Sequence, residues 1–249
     1  MKRGLFIAPF DELVDPRLLA ELARRAEIRG WDGLFLWDHV AFPEPIRAVA
    51  DPWIAMSAIA AATTTLLFGP MVTPLPRRRI QKLARETVTL DHLSGGRLIL
   101  GVGIGSDRTN ELKPFGEVVD ARERAQLLDD GLTRLCEFWA GEFEPLPVQR
   151  PRIPIWVASR WPNRRPVRRA ARWDGLFPIE LPGPPQLAEL AGEVHEARGR
   201  AGSFDFVVGI APGEDAGPWQ AAGATWALTS FGSQGKEAAV REAIDAGPR

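Results

Sequence analysis

Leu90-Asp91-His92-Leu93-Ser94-Gly95-Gly96-Arg97-Leu98-Ile99-Leu100-Gly101-Val102-Gly103-Ile104-Gly105-Ser106 reads as the end of a helix, a tight turn and a strand. Leu83, Val88 and Leu90 lie on the helix, and Ser94-Gly95-Gly96 stops it, because glycine accepts the positive φ such a turn demands. The run over 97–106 is nearly continuous in apolar character rather than alternating. A parallel strand covered by helices on both faces needs that pattern. Gly101, Gly103 and Gly105 fall at every second residue, on one face, where missing side chains let a flat ligand or another backbone approach. The spacing is not a dinucleotide fingerprint, which needs G-x-G-x-x-G opening a helix.

Working outward, runs of the same kind recur at 4–10, 33–40, 66–74, 153–160, 174–181, 204–212 and 224–231, eight in all with 97–106. Amphipathic stretches separate most of them. Asp15-Pro16 and Asp51-Pro52 each set an N-cap carboxylate before a proline at the first helical position. Leu18, Leu19, Leu22, Ala23 and Ala26 then form a stripe that Gly30 ends. The longest helix is expected over 121–139 and another over 187–198, while 213–223 leaves room for little more than a turn around Trp219. Eight strand–helix pairs in 249 residues predict an α/β fold, a single-domain (β/α)₈ TIM barrel over 1–249. An open doubly wound sheet shares the alternation and is the structural runner-up.

The composition excludes several classes. Lys+Arg of 31 against Asp+Glu of 32 leaves a net charge of −1, which asks for neither nucleic acid nor an acidic membrane as partner. No stretch approaches the ~20 apolar residues of a membrane span. The lone Cys136 sits in a helical run as a core thiol and excludes an intrachain disulfide. A cytoplasmic enzyme acting on a small molecule is expected, with a homodimer left open. Three scattered histidines, His39, His92 and His195, predict no metal site. Lys2, Lys82, Lys113 and Lys236 all lie outside the core strands, which argues against Schiff-base chemistry.

A barrel places function where strands end and their βα loops begin. The second run ends in Trp37-Asp38-His39, and an Asp-His pair there suits proton transfer or a bond to a cofactor ring. The third ends in Gly69-Pro70-Met71-Val72-Thr73-Pro74, a rigid edge that offers backbone groups inward. The fifth ends in Ser159-Arg160-Trp161-Pro162-Asn163-Arg164. Ser159, Asn163 and the start of the next helix offer donors to an anion, as do Arg160 and Arg164, while the other arginines of 160–172 are expected on a solvated face. Trp226, in the eighth run, fits either a ring-shaped ligand or the core. His92 points away from the strand ends and reads as structural.

Together these segments resemble the luciferase-like monooxygenase superfamily of flavin- and deazaflavin-dependent oxidoreductases. The specific part is Leu-Asp-x-Leu-Ser-Gly-Gly-Arg before Gly101-Val102-Gly103-Ile104-Gly105; Trp37-Asp38-His39, Gly69–Pro74 and Gly223-Ala224-Thr225-Trp226 support it. The resemblance implies FMN or the deazaflavin coenzyme F420 over the barrel mouth, its phosphate near Ser159, Arg160, Asn163 and Arg164. The ring would lie among Phe6, Asp38, His39, Val72, Thr73, Gly103 and Gly105, with Trp226 as a further lining residue. It also implies a cis peptide near Val72–Thr73, and a catalytic role for His39 beside Asp38. One departure is the short passage from Gly141 to Pro147, where relatives make a longer excursion. A barrel that binds a flavin or phosphate ligand without turning it over is the competing reading.

Overall fold

The computed structural model describes residues 1–199 and 202–248. Its strands are β1 (Lys2–Ile7), β2 (Gly33–Leu36), β3 (Leu67–Pro70), β4 (Thr73–Pro74), β5 (Leu100–Gly103), β6 (Ile155–Arg160), β7 (Gly175–Ile179), β8 (Asp205–Ile210) and β9 (Trp226–Ser230). All pair in parallel, in the spatial order β3-β2-β1-β9-β8-β7-β6-β5-β4. The third apolar run is therefore two strands, split at a cis peptide between Met71 and Val72, one bond earlier than the resemblance implied. Phe68 bridges Leu98 in parallel below the split, and β4 pairs β5 above it, so the wall closes as an eight-fold barrel with a broken third member.

That closure explains two glycines. A Cβ on Gly69 would sit 1.8 Å from the Ile99 carbonyl oxygen, and one on Gly101 2.2 Å from that of Pro70. Backbone meets backbone at this seam, so Gly101 serves the wall rather than a ligand.

The helices are α1 (Pro16–Ile28), α2 (Pro52–Ala62), α3 (Ile80–Ser94), α4 (Ala121–Glu137), α5 (Arg165–Ala170), α6 (Pro184–Arg198), α7 (Gly217–Ala221) and α8 (Glu237–Ala246). The Asp15 carboxylate accepts from the Arg17 amide, and that of Asp51 from Trp53 and Ile54, as the Asp-Pro pairs predict. Gly95 ends α3 at φ +66. None of the described helices is long and apolar enough to cross a membrane.

Alternate strand residues divide between two cores. Leu5, Leu34, Val157, Leu176 and Val208 face the helices, whereas Phe6, Phe35, Trp156, Phe177, Val207, Trp226 and Leu228 fill the barrel. Trp226 opens β9 level with Lys2 and Val207, at the strand beginnings. It is 1% exposed, packed edge-on against Phe35 and Trp156, with the Lys2 ammonium 5.1 Å from its ring centre. It is a floor plate of the barrel core, the packing alternative that the sequence left open; strand parity gives the inward face but not the height.

The motif that opens the sequence reading also lies at this N-terminal end. Arg97, 7% exposed, spends all five guanidinium donors on the Ser94, Ala60, Thr63 and Leu66 carbonyls and the Thr63 hydroxyl, at 2.7–2.9 Å. Asp91 accepts from the Val148 and Gln149 amides and the Gln149 side chain. His92 bonds the Leu146 carbonyl, so the short 141–147 passage is tied down from α3.

Candidate active site

At the opposite end, the buried Asp38 leaves β2 on the helix-facing side. Its carboxylate accepts five hydrogen bonds: from Trp53 Nε1, Thr73 Oγ1, Arg77 Nη2 and twice from Arg78 Nη2. Arg77 and Arg78 follow β4 directly, at Leu75–Arg77 and the residue after it, so the break in the third strand brings both guanidiniums to the end of the second. Arg77 Nη1 then reaches Glu111 Oε1 at 3.1 Å. Glu111 comes from the loop after β5 and also accepts from the Val40 amide at 2.7 Å, from Thr109 Oγ1 at 2.5 Å and from His39 Nδ1 at 2.5 Å.

The electrostatics fix the protonation of that contact. Burial alone would push the Glu111 carboxyl up, but the hydrogen bond and charge of His39, the Thr109 hydroxyl and the Val40 amide outweigh it and hold the group at about 2. Glu111 is then a carboxylate at neutral pH, so Nδ1 of His39 carries the proton and donates it. Nε2 has no hydrogen-bond partner among the described residues, and the side chain is 22% exposed. Phe10, Trp37 and Phe42 surround the ring at centroid distances of 5.8, 5.7 and 5.1 Å, and Phe6 extends the aromatic wall through Trp37 and Phe177.

Geometry brings together only part of the predicted set. Phe6, Trp37 and His39 meet at the mouth with the half-buried Val72. Gly103 is buried beneath Val72, whose Cγ2 would lie 3.0 Å from a Cβ there, and Gly105 turns at φ +74 just beyond the strand. Asp38 is saturated and anchors arginines, which leaves it no lone pair for proton transfer, and Thr73 has committed its hydroxyl to Asp38. Ser159 is buried on the helix-facing parity of Ile155 and Val157. Arg164 turns away to Glu193, at 2.7 Å, and Glu189 on α6. Asn163 is exposed and accepts from the Arg165 amide. The helix after β6 spans six residues with Pro166 in its first turn, so it offers no anion cradle. Arg169 and Arg172 grip Asp129 on α4 rather than decorating a free face. Of the predicted anion binders Arg160 alone keeps the inward parity, set by Trp156 and Ala158.

The residues that complete the site, Arg77, Arg78 and Glu111, are absent from the sequence-based set. Their signal was position: each lies in the loop after a strand end, in a Pro-Arg-Arg-Arg run and an Asn-Glu-Leu-Lys stretch that match no motif.

Gly209 faces inward, in register with Leu228, and a Cβ there would meet no atom within 4 Å. Aromatic side chains form one wall, and the Arg160 and Arg108 guanidiniums stand at the rim.

The model of the luciferase-like monooxygenase family matches residues 2–223. An F420-dependent glucose-6-phosphate dehydrogenase of Nakamurella multipartita is 33% identical over 139 residues, covering 53% of this chain and 39% of that protein. The oxygenase component of a flavin-dependent trigonelline monooxygenase of Acinetobacter baylyi is 27% identical over 168 residues, 62% of this chain and 44% of that protein. The chain thus spans about two fifths of the length of these curated relatives. Among solved structures, the coenzyme F420 dependent tetrahydromethanopterin reductase of Methanopyrus kandleri superposes with a TM-score of 0.72 at 16% identity, over 98% of this chain and 97% of that one, a likeness of fold.

Proposed function

The chain belongs to the luciferase-like monooxygenase family, and from that premise we propose that it is a flavin- or deazaflavin-dependent oxidoreductase acting on a small organic substrate. The observation that carries the reading is the His39–Glu111 pair, held at an aromatic mouth with Nε2 unengaged. FMN or F420 would supply hydride or electron transfer, which no side chain here provides. Phe6, Val72 and Gly103 would border its ring, and Arg160 with Arg108 would meet its acidic tail.

The chain's own part is proton management and positioning. Glu111 orients the imidazole and stabilises the imidazolium, so Nε2 can take a proton from a substrate oxygen or return one. Arg77 ties Glu111 to Asp38 and fixes the pair to the barrel wall. The aromatic side chains exclude water from the ring's edge. Cytoplasmic action accords with a lone, half-buried cysteine whose thiol burial pushes up, away from disulfide chemistry.

Titration with FMN and, separately, with F420, followed by fluorescence, tests this. Binding of either, with His39→Ala slowing substrate-dependent reduction or reoxidation, supports the proposal. Binding with no turnover on any alcohol, ketone or oxygen assay favours a carrier; binding of neither by folded protein sinks the redox reading.

A further inference from the structure

Three charged side chains at the barrel rim remain outside the His39 network. Arg160 is the last residue of β6, on the inward parity and level with Ile179 of β7. Arg108 lies on the loop after β5, close to Glu111 in sequence. Both guanidiniums converge on one oxygen, Oε1 of Glu180, the residue that follows β7. Neither has another carboxylate partner among the described residues.

Glu180 is placed there by its backbone. Continued as extended chain, it would fall on the parity of Leu176, toward the helices. Instead it adopts φ +58, a left-handed conformation unfavourable for a side-chain-bearing residue, and its carboxylate reaches the inward-facing Arg160. The triad is lopsided: two cations share one monoanion that is 55% exposed, while Arg160 is 35% exposed. Burial and the neighbouring Arg108 both disfavour the charge of Arg160, so a second negative charge would be welcome.

We propose that Glu180 is a specificity-determining residue: its carboxylate occupies the place of the ligand's acidic tail, and Arg108 and Arg160 exchange it for a phosphate when the ligand enters. The inference rests on the mouth being the cofactor site. A phosphomonoester such as that of FMN brings close to two charges where Glu180 brings one, a tail whose phosphate is a diester must add its charge through further acidic groups, and departure of Glu180 frees the left-handed residue to relax. A ligand with an uncharged tail gains neither advantage and has no reason to displace Glu180. The residue therefore acts as a threshold that admits phosphorylated rings over their unphosphorylated counterparts.

The test compares FMN with riboflavin, or F420 with its tailless deazaflavin core, as titrations of the intact protein by fluorescence. Glu180→Gln is expected to tighten the tailed ligand about two- to fivefold, the scale of a partly exposed charge pair, and to leave the tailless ring unchanged. Arg160→Met is expected to weaken the tailed ligand toward the tailless one. In Glu180→Gln with Arg160→Met the tightening should vanish, which separates direct competition from a general field effect. Tightening that survives in the double variant, or that extends equally to the tailless ring, overturns the role of Glu180 while leaving the ring site standing. Binding of no ring by any variant removes the cofactor reading and this inference with it.

Discussion

The barrel carries a buried arginine cluster at each end, and the two are built to different rules. At the N-terminal end, Arg97 has five donors and five neutral acceptors, all matched. At the mouth, Arg77 and Arg78 pair with Asp38 and Glu111, yet the Nε atoms of both arginines are buried without a partner and Nε2 of His39 faces the opening. The lower cluster is closed and holds α2, the 63–66 turn and the seam together. The upper one is charge-rich and incomplete, with valence left over beside the mouth. A finished network stabilises; in the other, the uncommitted imidazole nitrogen of His39 at a strand terminus is the group placed to meet a ligand.

Substitutions at the two ends should separate these roles. Arg97→Met strands a set of buried carbonyls and should cost about 3–5 kcal/mol, lowering the thermal midpoint on the order of 10 °C. Calorimetry checks the first effect, and ring affinity below the transition should match wild type. A stable Arg97→Met that lost the ring ligand would break the comparison.

Asp38→Asn should sit between the extremes, costing about 2–4 kcal/mol because two buried guanidiniums lose their shared carboxylate. It should also slow turnover, since Arg77 then no longer anchors Glu111. Loss of stability with turnover intact would move Asp38 wholly into the structural class.

Glu111→Gln should cost about 1–3 kcal/mol at neutral pH, where the ionised carboxylate is stabilised, and slow turnover about 10²-fold, the scale of a positioned acid–base group. It has a second signature in acid. Because the folded Glu111 is held at about 2 against an ordinary 4.5, its contribution to stability is present above pH 4.5 and is lost as the pH falls toward 2. Denaturant unfolding across that window should be flatter in the variant; equal slopes would show that the His39 contact does not hold the carboxylate.

The two ends also differ in how far they could be read. Strands buried on both faces leave continuous apolar runs, so the barrel rhythm and the Asp-Pro helix starts were legible. The Ser-Gly-Gly-Arg turn was recognisable because the helix stop and the strand start are written in one short stretch, although the acceptors of Arg97 come mostly from 60–66. The mouth network draws Asp38, Arg77 and Glu111 from three separate loops, and no single stretch records that they meet. Trp226 and Ser159 show the complementary failure. Alternation along a strand tells which face a residue takes, but neither its height in the barrel nor whether a neighbour has already claimed its polar atom.

The seam between β3 and β4 has one more consequence. In spatial order these are the two edges of the rolled sheet, yet along the chain only Met71 and Val72 lie between them. Joining the edges therefore requires almost no loop closure, however long the rest of the ribbon. Because the edges are tethered to each other from synthesis onward, neither can wander far as an unpaired strand open to another molecule. The contact most distant along the chain lies elsewhere in the wall, between β1 and β9, where Lys2 pairs with Trp226.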